Sequence, residues 1–393
     1  MKLKESGITR DIVLLSIAVF FSDMSNSTSI PIFPGYAQGL GASLSMIGSF
    51  SSVAGIVSLL MAVPLGRLSD RYGRRSLMIP GLLMLSLVPA AYIFSTSPLH
   101  FYPIRVVYAI ACGMIFTQGF LLMTEISEPG IRSTAQGLYM TCMGLGFTIG
   151  PLIGGYAAKY FGSTTSFMAA SGFALLGMIS VALVKEDKQA IQERKQSNMS
   201  FRDLIKDIRI LVGCMSNFMN SMMFNAMMLF FPVFGKDNGF DEAQIGVGLT
   251  VRGAASTVVR LPVGALAKNV KVFTMMLAGI LISGVSIYGL SNTTLFVGMT
   301  VLLGLQGVAY GVFLTAGNIY IADESPKEMR GTAMGLYNMF GSISNIINPL
   351  ILGFLADVYG TKGAFQFTAV VSIIGMILVY VLKRKYSSPV LTA

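Results

Sequence analysis

Apolar residues in this chain come in long unbroken runs, not in the alternating or one-faced patterns of water-soluble proteins. Twelve runs stand out, at 11–37, 44–66, 76–95, 99–123, 134–158, 164–184, 208–234, 243–266, 272–290, 294–318, 331–356 and 364–382. Each is near the ~20 residues a helix needs to cross the hydrocarbon of a bilayer. In hydrocarbon every backbone N–H and C=O must find its partner within the segment, so runs of this length are predicted as transmembrane helices. The polar stretches between them are short. The longest, 185–207, holds Lys185, Glu186, Asp187, Lys188, Glu193, Arg194 and Lys195 and reads as a solvated linker, with a short amphipathic helix at 199–209. The pattern divides the chain into six spans in residues 1–184, the linker 185–207, and six spans in 208–393.

Charge gives the orientation. An even number of spans puts both termini on one side, and that side carries 22 of the 28 Lys and Arg residues. The opposite side has only Lys159, Lys236 and Lys362, and Arg105, Arg252 and Arg260 fall inside spans. Positive charge concentrates on the cytoplasmic face, so both termini are expected there, with the protein in the cell (inner or plasma) membrane. Composition agrees: 53% of residues are hydrophobic and 12% charged, against about 25% charged in soluble domains. The net charge of +10 is then a property of the cytoplasmic loops and does not point to nucleic acid. Cys112, Cys142 and Cys214 lie far apart in apolar runs and read as packing residues, without a metal or disulfide spacing. There is no nucleophile with a base, no metal cluster and no phosphate-binding loop, so an enzyme or an ATP-driven pump is not expected, nor is a cofactor.

The chain repeats itself. Arg132-Ser-Thr-Ala-Gln-Gly-Leu-Tyr139 recurs as Arg330-Gly-Thr-Ala-Met-Gly-Leu-Tyr337, an offset of 198. The same offset relates Pro34 to Pro232, Pro64 to Pro262, Gly113 to Gly311, Pro151 to Pro349 and Gly162 to Gly360. A gapless register over both halves implies two pseudo-symmetric six-helix bundles of parallel topology.

Between the second and third spans lies Gly66-Arg-Leu-Ser-Asp70-Arg71-Tyr-Gly73-Arg74-Arg75. Its charge requires water, and the two glycines are expected to turn the chain tightly between helices. This string resembles the G-x-L-x-D-R-x-G-R-R signature of the major facilitator superfamily. The resemblance implies an all-α integral membrane protein of twelve transmembrane helices with a solute cavity between the bundles. It also implies that the arginines pair with an acid ending the fourth span, here Glu125, as a latch with Asp70. In the second half the pattern is lost, Lys268 and Lys271 standing at the places of Asp70 and Gly73.

The fifth span carries Gly146-x-x-x-Gly150-Pro151-x-x-Gly154-Gly155. Small residues four apart make a smooth face for close helix approach, and Pro151 removes a hydrogen bond and bends the helix. Packing alone would account for such a face. The string is nevertheless similar to the fifth-span signature of major facilitator antiporters, which implies export.

Ionisable groups within spans are functional candidates because each is costly there. Asp23 is the only acid deep in a span, among Ser22, Ser25, Asn26, Ser27 and Thr28, so the first span is expected to line a wet cavity. Arg105 resembles the arginine of the family's R-x-x-Q-G string, although Tyr108 and Ala109 replace its last two residues. It is the cation expected to couple with Asp23 in proton exchange, or else to form a permanent ion pair with it. Further cavity candidates are Asn26, Gln118, Asn217, Asn220, Asn225, Arg252, Gln306, Tyr310, Asn338 and Asn345.

Three functions compete. The first is a proton-coupled antiporter exporting amphipathic drugs or metabolites. The second is an importer of sugars or organic anions, and the third a non-transporting receptor on the same fold. The fifth span favours the first, and the signature loop argues against the third. The expected partners are a small-molecule solute, protons and the lipid bilayer, with the protein a monomer.

Overall fold

A computed structural model describes residues 8–128, 130–185, 207–267, 269–326 and 329–386. Residues 186–206 of the expected linker, most of the stretch 199–209, and Lys268 lie outside the described residues. Those described form helices and turns, with no strand among them. The helices are α1 (Arg10–Gly39), α2 (Leu44–Tyr72), α3 (Arg74–Ile93), α4 (Pro98–Ile126), α5 (Arg132–Phe161), α6 (Ser163–Ala182) and α7 (Ile208–Asp237). They continue with α8 (Glu242–Leu266), α9 (Val272–Leu290) and α10 (Phe296–Glu324). The last stretch, Arg330–Tyr386, breaks at Gly360, where φ is +74°; the parts before and after it are α11 and α12. The twelve apolar runs thus become twelve helices. Of these α8 is the least apolar, because Arg252 and Arg260 interrupt it.

The helices outrun the apolar segments that mark them. The second was expected to end at 66, with a turn at Gly66; instead α2 continues to Tyr72 and the chain turns at Gly73 alone, with φ +92°. Hydropathy ends where a helix leaves hydrocarbon, but Arg, Leu and Ser remain compatible with helix and carry it on into water. Gly66 lies inside that helix and is not among the glycines with positive φ, so it is no turn residue. Gly162 and Gly360, with φ +87° and +74°, make the equivalent turn in the two repeats, a conformation that disfavours any residue with a Cβ.

Contacts divide the chain into two compact units: residues 1–196 with 235–250, and 197–234 with 251–393. In the first, Ile12, Leu15 and Val19 of α1 pack with Met78 and Leu82 of α3, Ile115 and Leu122 of α4, Tyr139 of α5, and Ala174 and Val181 of α6. Outward-facing apolar side chains such as Leu60, Val63, Val297 and Ile374 are more than half exposed, as suits helices whose surroundings are lipid.

One packing device appears in both repeats. A Cβ at Gly119 would collide with the Tyr139 hydroxyl, and one at Gly317 with the Tyr337 hydroxyl. The glycines of α4 and α10 are notches that receive the tyrosines of α5 and α11, and both positions keep the offset of 198. The α1 and α7 helices are irregular at equivalent places too. The first is broken by a turn after Thr28 before restarting at Phe33. The second stays helical but widens to a π-helix at Ala226–Phe230.

Candidate functional site

The arginine-rich stretch is built around Arg74. Gly73 lets the chain reverse, and Arg74, the first residue of α3, turns inward and is 7% exposed. Its Nε donates to Glu125 Oε1 at 2.7 Å, and its Nη1 donates to Gln118 Oε1 at 3.0 Å and Ser69 Oγ at 3.4 Å. Asp70 Oδ1 lies 4.0 Å from Nη2. A planar guanidinium serves three acceptors at once, which an ammonium cannot do with the same geometry. Gln118, expected in the solute cavity, is instead part of this cluster. Arg75 does something else: its Nη2 and Nε donate to the carbonyls of Ala182 and Val181, closing the C-terminus of α6, where cations are favoured. Arg71 is exposed, 5.2 Å from the Tyr72 ring.

The second grouping is the α1–α5 contact. A Cβ at Gly146, Gly150 or Gly154 would overlap, respectively, Phe20 O, Ser27 Oγ or Thr28 O. The glycine face therefore lies directly on the α1 backbone from Phe20 to Thr28, the stretch of about two and a half turns that carries Asp23. Ser27 Oγ donates across to Gly146 O at 3.2 Å. Gly155 faces elsewhere, against Glu242 O, and the carbonyl of Pro151 meets Gly246. Several hydroxyls of α1 have a local explanation. Ser16, Ser22, Ser27 and Thr28 each donate to the carbonyl four residues earlier, at 2.6–2.8 Å, whereas the hydroxyls of Ser25 and Ser29 are buried without a hydrogen-bond partner.

Asp23 is buried, at 7% exposure. Arg105 sits in an aromatic cage that sequence reasoning missed: its guanidinium is 4.1 Å from the Phe33 ring centre, 5.3 Å from that of Tyr108 and 5.9 Å from that of Tyr92. Its Nε is buried without a hydrogen-bond partner. Cation–π contacts of this kind are worth ~0.5–2 kcal/mol. The Tyr108 hydroxyl donates to Asn26 Oδ1 at 2.7 Å. Phe33 and Tyr92 fall near span ends, where aromatic belts are usual, but Tyr108 lies well inside the fourth span, and no spacing in the sequence joins the three.

In the second unit the equivalent helices are joined differently. Asn217 Nδ2 donates to Tyr337 O at 2.8 Å, Asn225 Nδ2 to Asn345 Oδ1 at 3.1 Å, and Ser344 Oγ to Phe218 O at 2.8 Å. Asn217, Asn225 and Asn345 thus tie α7 to α11 as interhelical bonds, where the first unit uses bare glycine. Asn220 is buried and Asn338 exposed.

Arg252 lies midway along α8, 1% exposed, a position where an arginine costs ~2.5–3.5 kcal/mol. Its Nε donates to Gln306 Oε1 at 2.5 Å, and Gln306 Nε2 donates in turn to Ser283 Oγ at 3.0 Å. The guanidinium lies 5.0 Å from the ring of Tyr310 and 5.4 Å from that of Phe224. Its Nη2 is buried without a hydrogen-bond partner. Where the charged ends of α10 and α12 meet, Glu324 pairs with Lys383 at 2.9 Å and with Arg209 at 3.7 Å. Beside Arg209, the Asp207 carboxyl is held below its usual range: burial acts to raise it, but hydrogen bonds from Arg209 outweigh that. Among the described residues no three His, Cys, Asp or Glu side chains gather as a metal site would need.

Comparison with known proteins fits this architecture. A model of the Major Facilitator Superfamily matches residues 15–215 and again 213–392. The chain is 26% identical over 385 residues to Multidrug resistance protein 2 of Bacillus subtilis, covering 95% of each. It is 24% identical over 381 residues to an uncharacterized MFS-type transporter of Methanocaldococcus jannaschii, covering 95% of this chain and 98% of that one. In fold it is similar to the crystal structure of the nucleoside transporter NupG, with a TM-score of 0.81 at 15% identity over 95% of this chain and 99% of that one. Matched by the family model once in each repeat, and built of twelve membrane-spanning helices, the chain belongs to the Major Facilitator Superfamily of membrane transporters for small solutes.

Proposed function

We propose that this transporter is a proton-coupled antiporter that exports small amphipathic drugs or metabolites, with both termini cytoplasmic. The observation that carries the proposal is the buried carboxylate of Asp23 on the α1 segment against which the glycine face of α5 is pressed. A carboxylate there gains or loses a proton as its surroundings change, because burial favours the neutral form and a nearby cation the charged one. Arg105, in the same unit, supplies that cation. Its aromatic cage holds the charge without a permanent hydrogen bond at Nε, leaving the guanidinium available to Asp23 in one state of the cycle. Competition between proton and solute for this pair gives exchange without any covalent step. The export direction is supported by relatives of full length whose names describe multidrug resistance, among them that of Bacillus subtilis. In this scheme Arg74, Glu125 and Asp70 form the latch, held in one state and released in the other.

The test is solute movement in proteoliposomes under an imposed pH gradient. Ethidium should move against the proton flux in wild type. Asp23→Asn should abolish gradient-driven movement while sparing equilibrium binding. Movement along with protons would make the protein an importer, and full gradient-driven activity in Asp23→Asn would remove Asp23 from the coupling route.

A further inference from the structure

Arg252 is a buried cation for which the scheme above has no use. Several features aim it. The face of α10 formed by Gly304, Gly307 and Gly311 lies on α8, where a Cβ at Gly307 would overlap the Arg252 carbonyl and one at Gly311 the Ser256 carbonyl. The backbone of Arg252 is therefore fixed against α10. Gln306 then fixes the guanidinium: its amide nitrogen is committed to Ser283, so its oxygen is the end presented to Arg252 Nε. The rings of Phe224 and Tyr310, stacked on each other at 5.4 Å, lie close to the guanidinium. Phe224 stands just before the π-helical turn at Ala226–Phe230, and such turns are frequent at functional sites.

What this scaffold leaves unsatisfied is Nη2. Buried polar groups are nearly always hydrogen-bonded, and a purely structural arginine would be satisfied along its whole edge. Among the described residues no carboxylate forms an ion pair with Arg252. We propose that Arg252 Nη2 is the anchor for a carboxylate on an amphipathic aromatic solute, with Phe224 and Tyr310 receiving its flat apolar body. Guanidinium and carboxylate match in plane and charge, and the two rings favour a planar group over a sugar. Nη2 is closed off from solvent in this conformation, so the solute reaches it when the covering side chains move. The inference rests on the transporter reading and names one class of its solutes.

Binding to full-length protein in nanodiscs tests it, using 2-naphthoate and its neutral counterpart 2-naphthamide in calorimetric titrations. Wild type should prefer the carboxylate by tenfold or more. Arg252→Gln should lose that preference while still binding the amide, and Arg252→Lys should keep part of it. If Arg252→Gln does not fold, Arg252→Lys and the wild-type comparison still decide. Equal binding of the two compounds by wild type, no binding of 2-naphthoate at millimolar concentration, or a preference that survives in Arg252→Gln would each overturn the proposal. Ethidium exchange in the same preparation reads the antiporter function separately. A pump that exchanges ethidium but ignores the carboxylate would leave that function standing and remove only the anchor.

Discussion

Arg74 shows how much one side chain can gather. It enters the protein from an otherwise exposed charged stretch and meets Glu125, Gln118 and Ser69 together. Removing one partner of such a pair costs more than the pair contributes, because the remaining charge stays buried. A double-mutant cycle with Arg74→Ala and Glu125→Ala, read by thermal unfolding, should give a coupling energy of about 1–3 kcal/mol. Additive single effects would reduce the pair to an ordinary surface contact. The sequence already pointed to this pair through its resemblance to a known signature. It did not show that Gln118 belongs with it, or that Arg75 caps α6. Glutamine in an apolar run looks the same whether it faces solute or arginine, and the carbonyls of Val181 and Ala182 leave no mark in side-chain chemistry.

At the scale of helices, hydropathy placed the spans well and their ends poorly. It ended the second at 66, six residues before α2 stops, since the pattern registers hydrocarbon and not helix. The glycines of α5 were legible as a smooth face, but their partner was not, because nothing in the spacing says which helix will lie against them. That partner is the α1 backbone, and the consequence is measurable. Gly150→Ala places a methyl group on Ser27 Oγ and against Met24 O, and should destabilise by about 1–3 kcal/mol as overpacking does. Gly137→Ala, on the same helix with nothing within 4 Å, should be neutral or stabilise by up to about 1 kcal/mol. Chemical denaturation of both variants in one detergent makes each the control for the other; equal effects would mean that the glycine face is not a close contact. The asparagines of α7 and α11 show a related limit of spacing. Asn217, Asn225 and Asn345 recur at helical spacing, as cavity-lining groups would, yet they bond across α7 and α11. Spacing gives the face of a helix and leaves open whether that face meets water or another helix.

For the whole molecule the internal offset of 198 was the most informative feature, because it depends on no single residue. It relates the Gly119–Tyr139 notch to Gly317–Tyr337, and the turn at Gly162 to that at Gly360. Orientation in the membrane rests on the distribution of Lys and Arg, and labelling in intact cells tests it. A membrane-impermeant maleimide should react with Asn292→Cys and should reach Ser133→Cys only after permeabilisation; both positions are exposed. The reverse order would invert the topology. Background is expected to be low, since Cys214 is buried and Cys112 and Cys142 are partly so.

The wide turn at Ala226–Phe230 has a further meaning. A π-turn amounts to one residue inserted into an α-helix without a loop to hold it. The first repeat meets the same need by breaking α1 after Thr28, and Pro34 and Pro232 stay in register. Excision of a single residue from 226–230 would let α7 relax to regular geometry throughout. Because the wide turn has already absorbed the extra residue, everything beyond Phe230 would keep its face, whereas excision of a residue from a regular stretch of α7 would rotate everything beyond it by about 100°.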